Sequence, residues 1–262
     1  MAVKSRMEKE FTQKDEKQPV RLNKFLAESG ICSRREADRL IEEGMVWVDG
    51  QKAVQGMKVL PVQNVVVKGK TVKREKEMVL LAVNKPVGIV CTTEKKWGDH
   101  TIDEFLNYPK RIFSIGRLDK DSEGLLLMTN NGEILNKIMR AGNYHEKEYE
   151  VTVDREITDE FLRKMASGVA ILDTVTRPCK VKKIGERSFR IILTQGLNRQ
   201  IRRMCEALGY RVTRLKRIRI MNICLGDLKP GAYRNVTREE MEQLYDQLEK
   251  SSNMPTFMRK DR

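Results

Sequence analysis

Histidine is almost absent from this sequence: His100 and His145 are the only two in 262 residues. A histidine-rich metal site is thereby excluded. The five cysteines (Cys32, Cys91, Cys179, Cys205 and Cys224) lie far apart and form no C-x-x-C pair. An odd count in a chain of this size argues for reduced thiols in a cytoplasm, not a disulfide framework. No stretch approaches 18 consecutive apolar residues, so no membrane-crossing helix is encoded. The opening residues, MAVKSRMEKEFTQKDEKQPV, lack an apolar run and give no secretory pattern; their composition predicts a disordered arm over 1–19. No G-x-G-x-x-G follows a strand-like run, and no G-x-x-x-x-G-K-[ST] occurs, so dinucleotide and nucleoside-triphosphate chemistry is unsupported. No internal repeat is visible.

Positive charge, in contrast, is abundant. The chain carries 51 Lys and Arg against 37 Asp and Glu, a formal charge of +14. A protein this basic usually meets a polyanion, because each neutralised phosphate releases condensed counterions. Distribution sharpens the point. Residues 199–219, RQIRRMCEALGYRVTRLKRIR, hold eight Arg or Lys and one acid, which points to RNA or DNA.

The first ordered segment reads as two short helices and a hairpin. Leu22, Phe25 and Leu26 share a helical face that Gly30 stops. Ser33 then opens a second helix, with Glu36 completing a capping box, Ala37, Leu40 and Ile41 on one face, and Gly44 at its end. Asp49-Gly50 predicts a type I′ turn, and strands near Lys58–Leu60 and Asn64–Val67 complete a module over 20–74. Arg21, Lys24, Arg34, Arg35 and Arg39 fall on the helices or the turn between them, as candidate RNA contacts. This arrangement, with R-L-N-K leading and S-R-R-E-A opening the second helix, resembles the S-four-like RNA-binding module.

Charged residues 75–78 read as a linker, and a larger domain is expected over 79–250, with a flexible tail over 251–262. Strands are predicted at Arg111–Ile115, Leu125–Met128, Lys147–Val153, Ala170–Leu172, Cys179–Ile184, Phe189–Thr194 and Arg211–Ile220. Helices are predicted at Ile102–Asn107, Gly132–Arg140, Asp159–Ala166, Arg199–Leu208 and Arg238–Lys250, the last opened by a Thr237/Glu240 capping box. Many short strands with irregularly interleaved helices make the fold class α+β, on a mixed, mostly antiparallel sheet with flanking helices.

One stretch calls for chemistry. IFSIGRLDKDSEGLLLMTNNG, residues 112–132, encloses Arg117, Asp119, Lys120, Asp121 and Glu123 between two apolar runs. A calcium loop would need Glu at its twelfth position, where Asn130 stands. A Mg²⁺ nuclease using Asp119, Asp121 and Glu123 stays open as a second reading, although no remote acid cluster obviously completes its site. A lone catalytic carboxylate beside Arg117 is the third reading.

The stretch closely resembles the G-R-L-D-x-D-[ST]-x-G-L-L motif of RNA pseudouridine synthases of the RsuA/RluB/RluE/RluF type. VNKPVGIVCTT, HEKEYEVTV and TQGLNRQIRRMCEALGY resemble further segments of that family, and several stretches sit nearest its RluF subgroup. The resemblance implies Asp119 as the catalytic carboxylate, Tyr149 as the active-site tyrosine and Arg202 as the basic partner, with Arg199 competing for that place. Arg117 and Asn198 stand beside them as support. Lys85, Arg203, Arg214 and Arg217 join the candidate RNA contacts, and His145 reads as a hydrogen-bonding residue. It further implies uridine isomerisation in large-subunit ribosomal RNA, and in some members a tRNA, by an extruded base, with no cofactor and no metal. A monomer is expected. A non-catalytic RNA-binding ribosome-assembly factor is the alternative.

Overall fold

The computed structural model describes residues 18–72, 77–92, 98, 100–249 and 251. The expected arm up to residue 17, residues 75 and 76 of the expected linker and the tail from 252 lie outside the described residues. The chain divides into two compact units: one runs to Met78 and takes in Pro109–Ile112, the other comprises Val79–Tyr108 and the chain from Phe113 onward.

The first unit contains β1 (Val20–Arg21), α1 (Leu22–Glu28), α2 (Arg34–Glu42), β2 (Val46–Val48), β3 (Gln51–Lys52), β4 (Lys58–Val59), β5 (Val65–Val67) and β6 (Lys70–Thr71). Ser33 caps α2 as its sequence requires, its hydroxyl accepting from the Glu36 N–H at 3.1 Å. Asp49 and Gly50 both take positive φ, 48° and 80°, which the β2–β3 turn demands. Leu22, Phe25 and Leu26 of α1 meet Ala37, Leu40 and Ile41 of α2 over Val46, Val48, Val59 and Val65, forming one core. Arg21 departs from expectation. It lies in β1, paired with Lys58, and precedes α1 instead of belonging to it.

The second unit is built on a sheet of nine strands. Its elements begin with β7 (Leu80–Lys85), α3 (Ile102–Leu106), β8 (Phe113–Ile115), β9 (Glu123–Thr129), α4 (Gly132–Met139), β10 (Lys147–Val153) and α5 (Asp159–Ser167). A two-stranded ribbon, β11 (Ala170–Ile171) and β12 (Thr174–Val175), precedes β13 (Lys180–Gly185), β14 (Ser188–Leu193) and α6 (Gln200–Ala207). β15 (Val212–Ile220), β16 (Ile223–Cys224), β17 (Tyr233–Asn235) and α7 (Arg238–Glu249) complete it. The main strand order is β13-β14-β10-β15-β9-β7-β17, with β16 on β15 and β8 on β9. Among the described residues, β9 and β15 alone pair in parallel in this sheet; every other strand pair is antiparallel.

Burial follows the sequence. Leu125–Met128 of β9 are fully covered, as a central strand with both faces packed should be. Val151, Phe189, Ile191, Phe161, Ile201, Met204 and Cys205 form a core that joins α5 and α6 to the sheet. At the far end Thr237 and Glu240 exchange the expected capping bonds, the Thr237 N–H donating to Glu240 at 2.9 Å and the Glu240 N–H to Thr237 at 3.2 Å. α7 buries Leu244, Tyr245 and Leu248.

Candidate active site

Strands β8 and β9 are hairpin partners, but Gly116–Ser122 joins them as a wide loop. That loop is pinned from below. Leu118 is buried and its N–H points at Cys91 Sγ, 3.5 Å away. The Lys120 carbonyl accepts from the Gly88 N–H at 2.8 Å, and the Ser122 N–H returns to the Asp119 carbonyl at 3.1 Å. The segment VNKPVGIVC therefore fixes the backbone on which the acids stand.

The acids themselves face arginines. Arg199 immediately precedes α6, with left-handed φ/ψ of 49° and 35°. Its Nη1 lies 3.4 Å from Asp119 Oδ2, and both its terminal nitrogens donate to Asp121, at 3.3 and 3.2 Å. Arg202, one turn on, is only 7% exposed. Its Nη2 donates to the Asp121 carbonyl at 2.9 Å and Ser122 Oγ at 3.2 Å, and sits 3.2 Å from Asp121 Oδ2. Burial raises the Asp121 pKa, but the hydrogen bond from Arg199 and the charges of Arg202 and Arg199 outweigh it and hold the carboxyl below its ordinary value. Carboxylates already matched with guanidinium groups are a poor seat for a divalent cation, which would be repelled by the same arginines.

This corrects one expectation. The carboxylate partner of Arg202 is Asp121, and Arg199 is the residue beside Asp119. Arg202 acts on the loop's main chain, a task its buried side chain in the first turn of α6 suits.

Beneath the loop, Tyr149 on β10 is the register partner of Arg217 on β15, whose Cζ lies 6.0 Å from the tyrosine ring centroid. Arg217 is 2% exposed and its Nε donates to the Leu125 carbonyl at 2.7 Å. Lys85 is fully buried, its ammonium donating to the carbonyls of Pro86 and Ile89 at 2.8 Å each. Neither can reach a phosphate at the surface, and their expected role as RNA contacts is withdrawn. Both are interior cations that shape the site. Burial pushes the Lys85 pKa down, against the pull of Cys91, Asp119 and Asp121.

Gly124 lets these elements close. Its φ is 103°, and a Cβ there would stand 2.3 Å from the Arg217 carbonyl oxygen. Parallel β9 and β15 meet at this point, directly below the loop.

Other expected contacts remain on the surface. Arg117 is exposed, as are Asn198 and Arg214, the last paired with Glu123 at 2.6 Å. Arg203 clasps Asn198, donating to its carbonyl at 3.2 Å and its side-chain oxygen at 3.4 Å. On the first unit Arg21, Arg34, Arg35 and Arg39 are exposed, Arg39 paired with Glu36 at 2.6 Å, while half-buried Lys24 faces Glu28 at 3.6 Å. His145 hydrogen-bonds Ser251 at 2.8 Å.

Lys147 is a residue that sequence reasoning left without a role. It lies two positions before Tyr149 on β10 and so on the same face. Burial, then the charge of Arg217, bring its pKa down to about 8. The alternation K-x-Y was the available signal. Among the described residues no helix is long and apolar enough to cross a membrane.

Two family descriptions match the chain: RNA pseudouridylate synthase over residues 79–207, and S4 domain over residues 20–65. The chain is similar to the dual-specificity RNA pseudouridine synthase RluF of Escherichia coli, 57% identical over 236 residues, 89% of this chain and 81% of that protein. It is 37% identical over 232 residues to the ribosomal large subunit pseudouridine synthase B of Bacillus subtilis, covering 86% of this chain and 95% of that one. Among solved structures, a crystal structure of a pseudouridylate synthase matches with a TM-score of 0.64 at 28% identity, over 86% of this chain and 99% of that chain.

Proposed function

The chain belongs to the RNA pseudouridine synthase family, and on that premise we propose that it isomerises uridine in large-subunit ribosomal RNA, with a tRNA as second substrate. The observation that carries this reading is the loop between β8 and β9, which offers Asp119 to solvent at 35% side-chain exposure with Arg199 3.4 Å away.

In the reaction the N1–C1′ bond breaks, the uracil turns, and a C5–C1′ bond forms. The C5 proton leaves and N1 gains one, so composition and oxidation state are unchanged. Asp119 is the carboxylate in each route open to it, whether at ribose, at the uracil ring or at the C2′ proton. Arg199 aims it, and Arg202 holds the loop. Tyr149, supported by Arg217, stacks on the uracil and stands where the C5 proton must move. The substrate base has to leave its helix, at a cost of a few kcal/mol. Phosphate contacts by half-buried Arg203, exposed Arg214 and the basic first unit offset that cost. The enzyme acts as a cytoplasmic monomer.

The test is tritium release from RNA labelled at uridine C5, with no metal added. Wild type should release tritium, while Asp119→Asn should lose roughly 10³-fold or more of the rate and keep its RNA affinity. Tight binding without release from any ribosomal or transfer RNA would replace this reading with that of an assembly factor.

A further inference from the structure

One surface pair near the site has no part in this mechanism. Tyr144 lies between the 3₁₀ turn Ala141–Asn143 and β10, and is 59% exposed. Its φ is 57°, a left-handed conformation that costs a bulky residue on the order of 1–2 kcal/mol. The Arg177 Cζ lies 4.1 Å from its ring centroid, a stacking distance. Arg177 is anchored in turn, its Nη1 donating to the Thr194 carbonyl at 3.4 Å.

The position matters as much as the pair. Thr194 follows β14 directly and opens the segment that delivers Arg199 to Asp119, while the chain leaving Tyr144 enters β10 and carries Tyr149. The stack thus joins the two segments that bring in the arginine and the tyrosine of the site. A single exposed aromatic residue is ordinary on a protein surface. This one is held by a strained backbone, covered on one face by a tethered guanidinium, and open to solvent.

An RNA enzyme that extrudes a base leaves the neighbouring bases without their stacking partner, and unstacked bases seek aromatic faces backed by positive charge. We propose that Tyr144, backed by Arg177, is the platform on which the nucleobase next to the extruded uridine stacks. This inference rests on the proposed function. It calls for no particular base, since every base has a π-face.

The test uses an unmodified large-subunit ribosomal RNA transcript to locate the uridine that the wild-type enzyme converts, then a stem-loop around it. Matched stem-loops carry an abasic nucleotide on one or the other side of that uridine. Tyr144→Ala should raise KM about tenfold on the intact stem-loop, with a smaller effect on kcat, and Tyr144→Phe should restore the wild-type value. On one abasic stem-loop the wild type should fall to the level of Tyr144→Ala, which itself loses nothing further. Tyr144→Gly, which suits the left-handed backbone, should unfold no earlier than wild type yet show the same rise in KM. An unchanged KM for Tyr144→Ala would overturn the platform, as would an equal rise on intact and both abasic RNAs. Failure of the wild type to convert any RNA would instead overturn the function on which the platform depends.

Discussion

Lys147 shows how one residue can carry a cost that the surrounding fold sustains. Its pKa is near 8 in the folded chain and near 10.5 when unfolded, so between those values the unfolded chain binds more protons. Stability should therefore rise as pH climbs from about 8 to 10.5, and the penalty should be fully present below 8. Urea unfolding at pH 7 and pH 10 checks this: Lys147→Met should be more stable than wild type at pH 7, by about 1–3 kcal/mol, and the gap should shrink at pH 10. A constant gap would mean that the lysine is not held against its charge. The same scale explains what sequence could and could not assign. Asp119 and Tyr149 stand in motifs whose text marks them, but the division of the acids between Arg199 and Arg202 depends on a left-handed residue at the start of α6. No side-chain pattern announces that backbone turn. Arg217 and Lys85 read as surface cations because their partners, the carbonyls of Leu125 and Ile89, belong to chain paths that only folding defines.

At the scale of elements, the contact of β9 with β15 holds the site together. Gly124→Ala would place a methyl group against the Arg217 carbonyl and strain a φ of 103°. The expected loss is about 2–4 kcal/mol, read as a lower Tm, with tritium release falling further than the stability loss alone would require. Full activity in a stable Gly124→Ala protein would show that the strands can separate without harm. Local pattern predicted the strand Lys147–Val153 residue for residue, and placed α3 to α7 within one or two residues of their observed ends. It missed β17, because Tyr233–Asn235 is a strand only by virtue of pairing with Leu81–Val83 at the sheet edge. Pairing across such a distance leaves no periodic trace in three residues. Ala170–Ile171 was found where Ala170–Leu172 was expected, since Leu172 and Asp173 both take left-handed φ in the turn to β12.

For the whole molecule, the charge of +14 makes RNA binding an ion-exchange reaction. Affinity for a large-subunit ribosomal RNA fragment should fall by roughly 10²–10³ between 50 and 200 mM salt, in a linear plot of log affinity against log salt. A flat plot would remove the phosphate contacts assigned to Arg203 and Arg214. The loop between β8 and β9 is completed late in the order in which the chain is made. Asp121 is synthesised 78 residues before Arg199, and Leu125 92 residues before Arg217. At about 5–20 residues per second, Asp121 waits roughly 4–16 seconds for Arg199. A growing chain therefore carries its loop acids before the arginines that pair with them, and the ion pairs close only once α6 has followed.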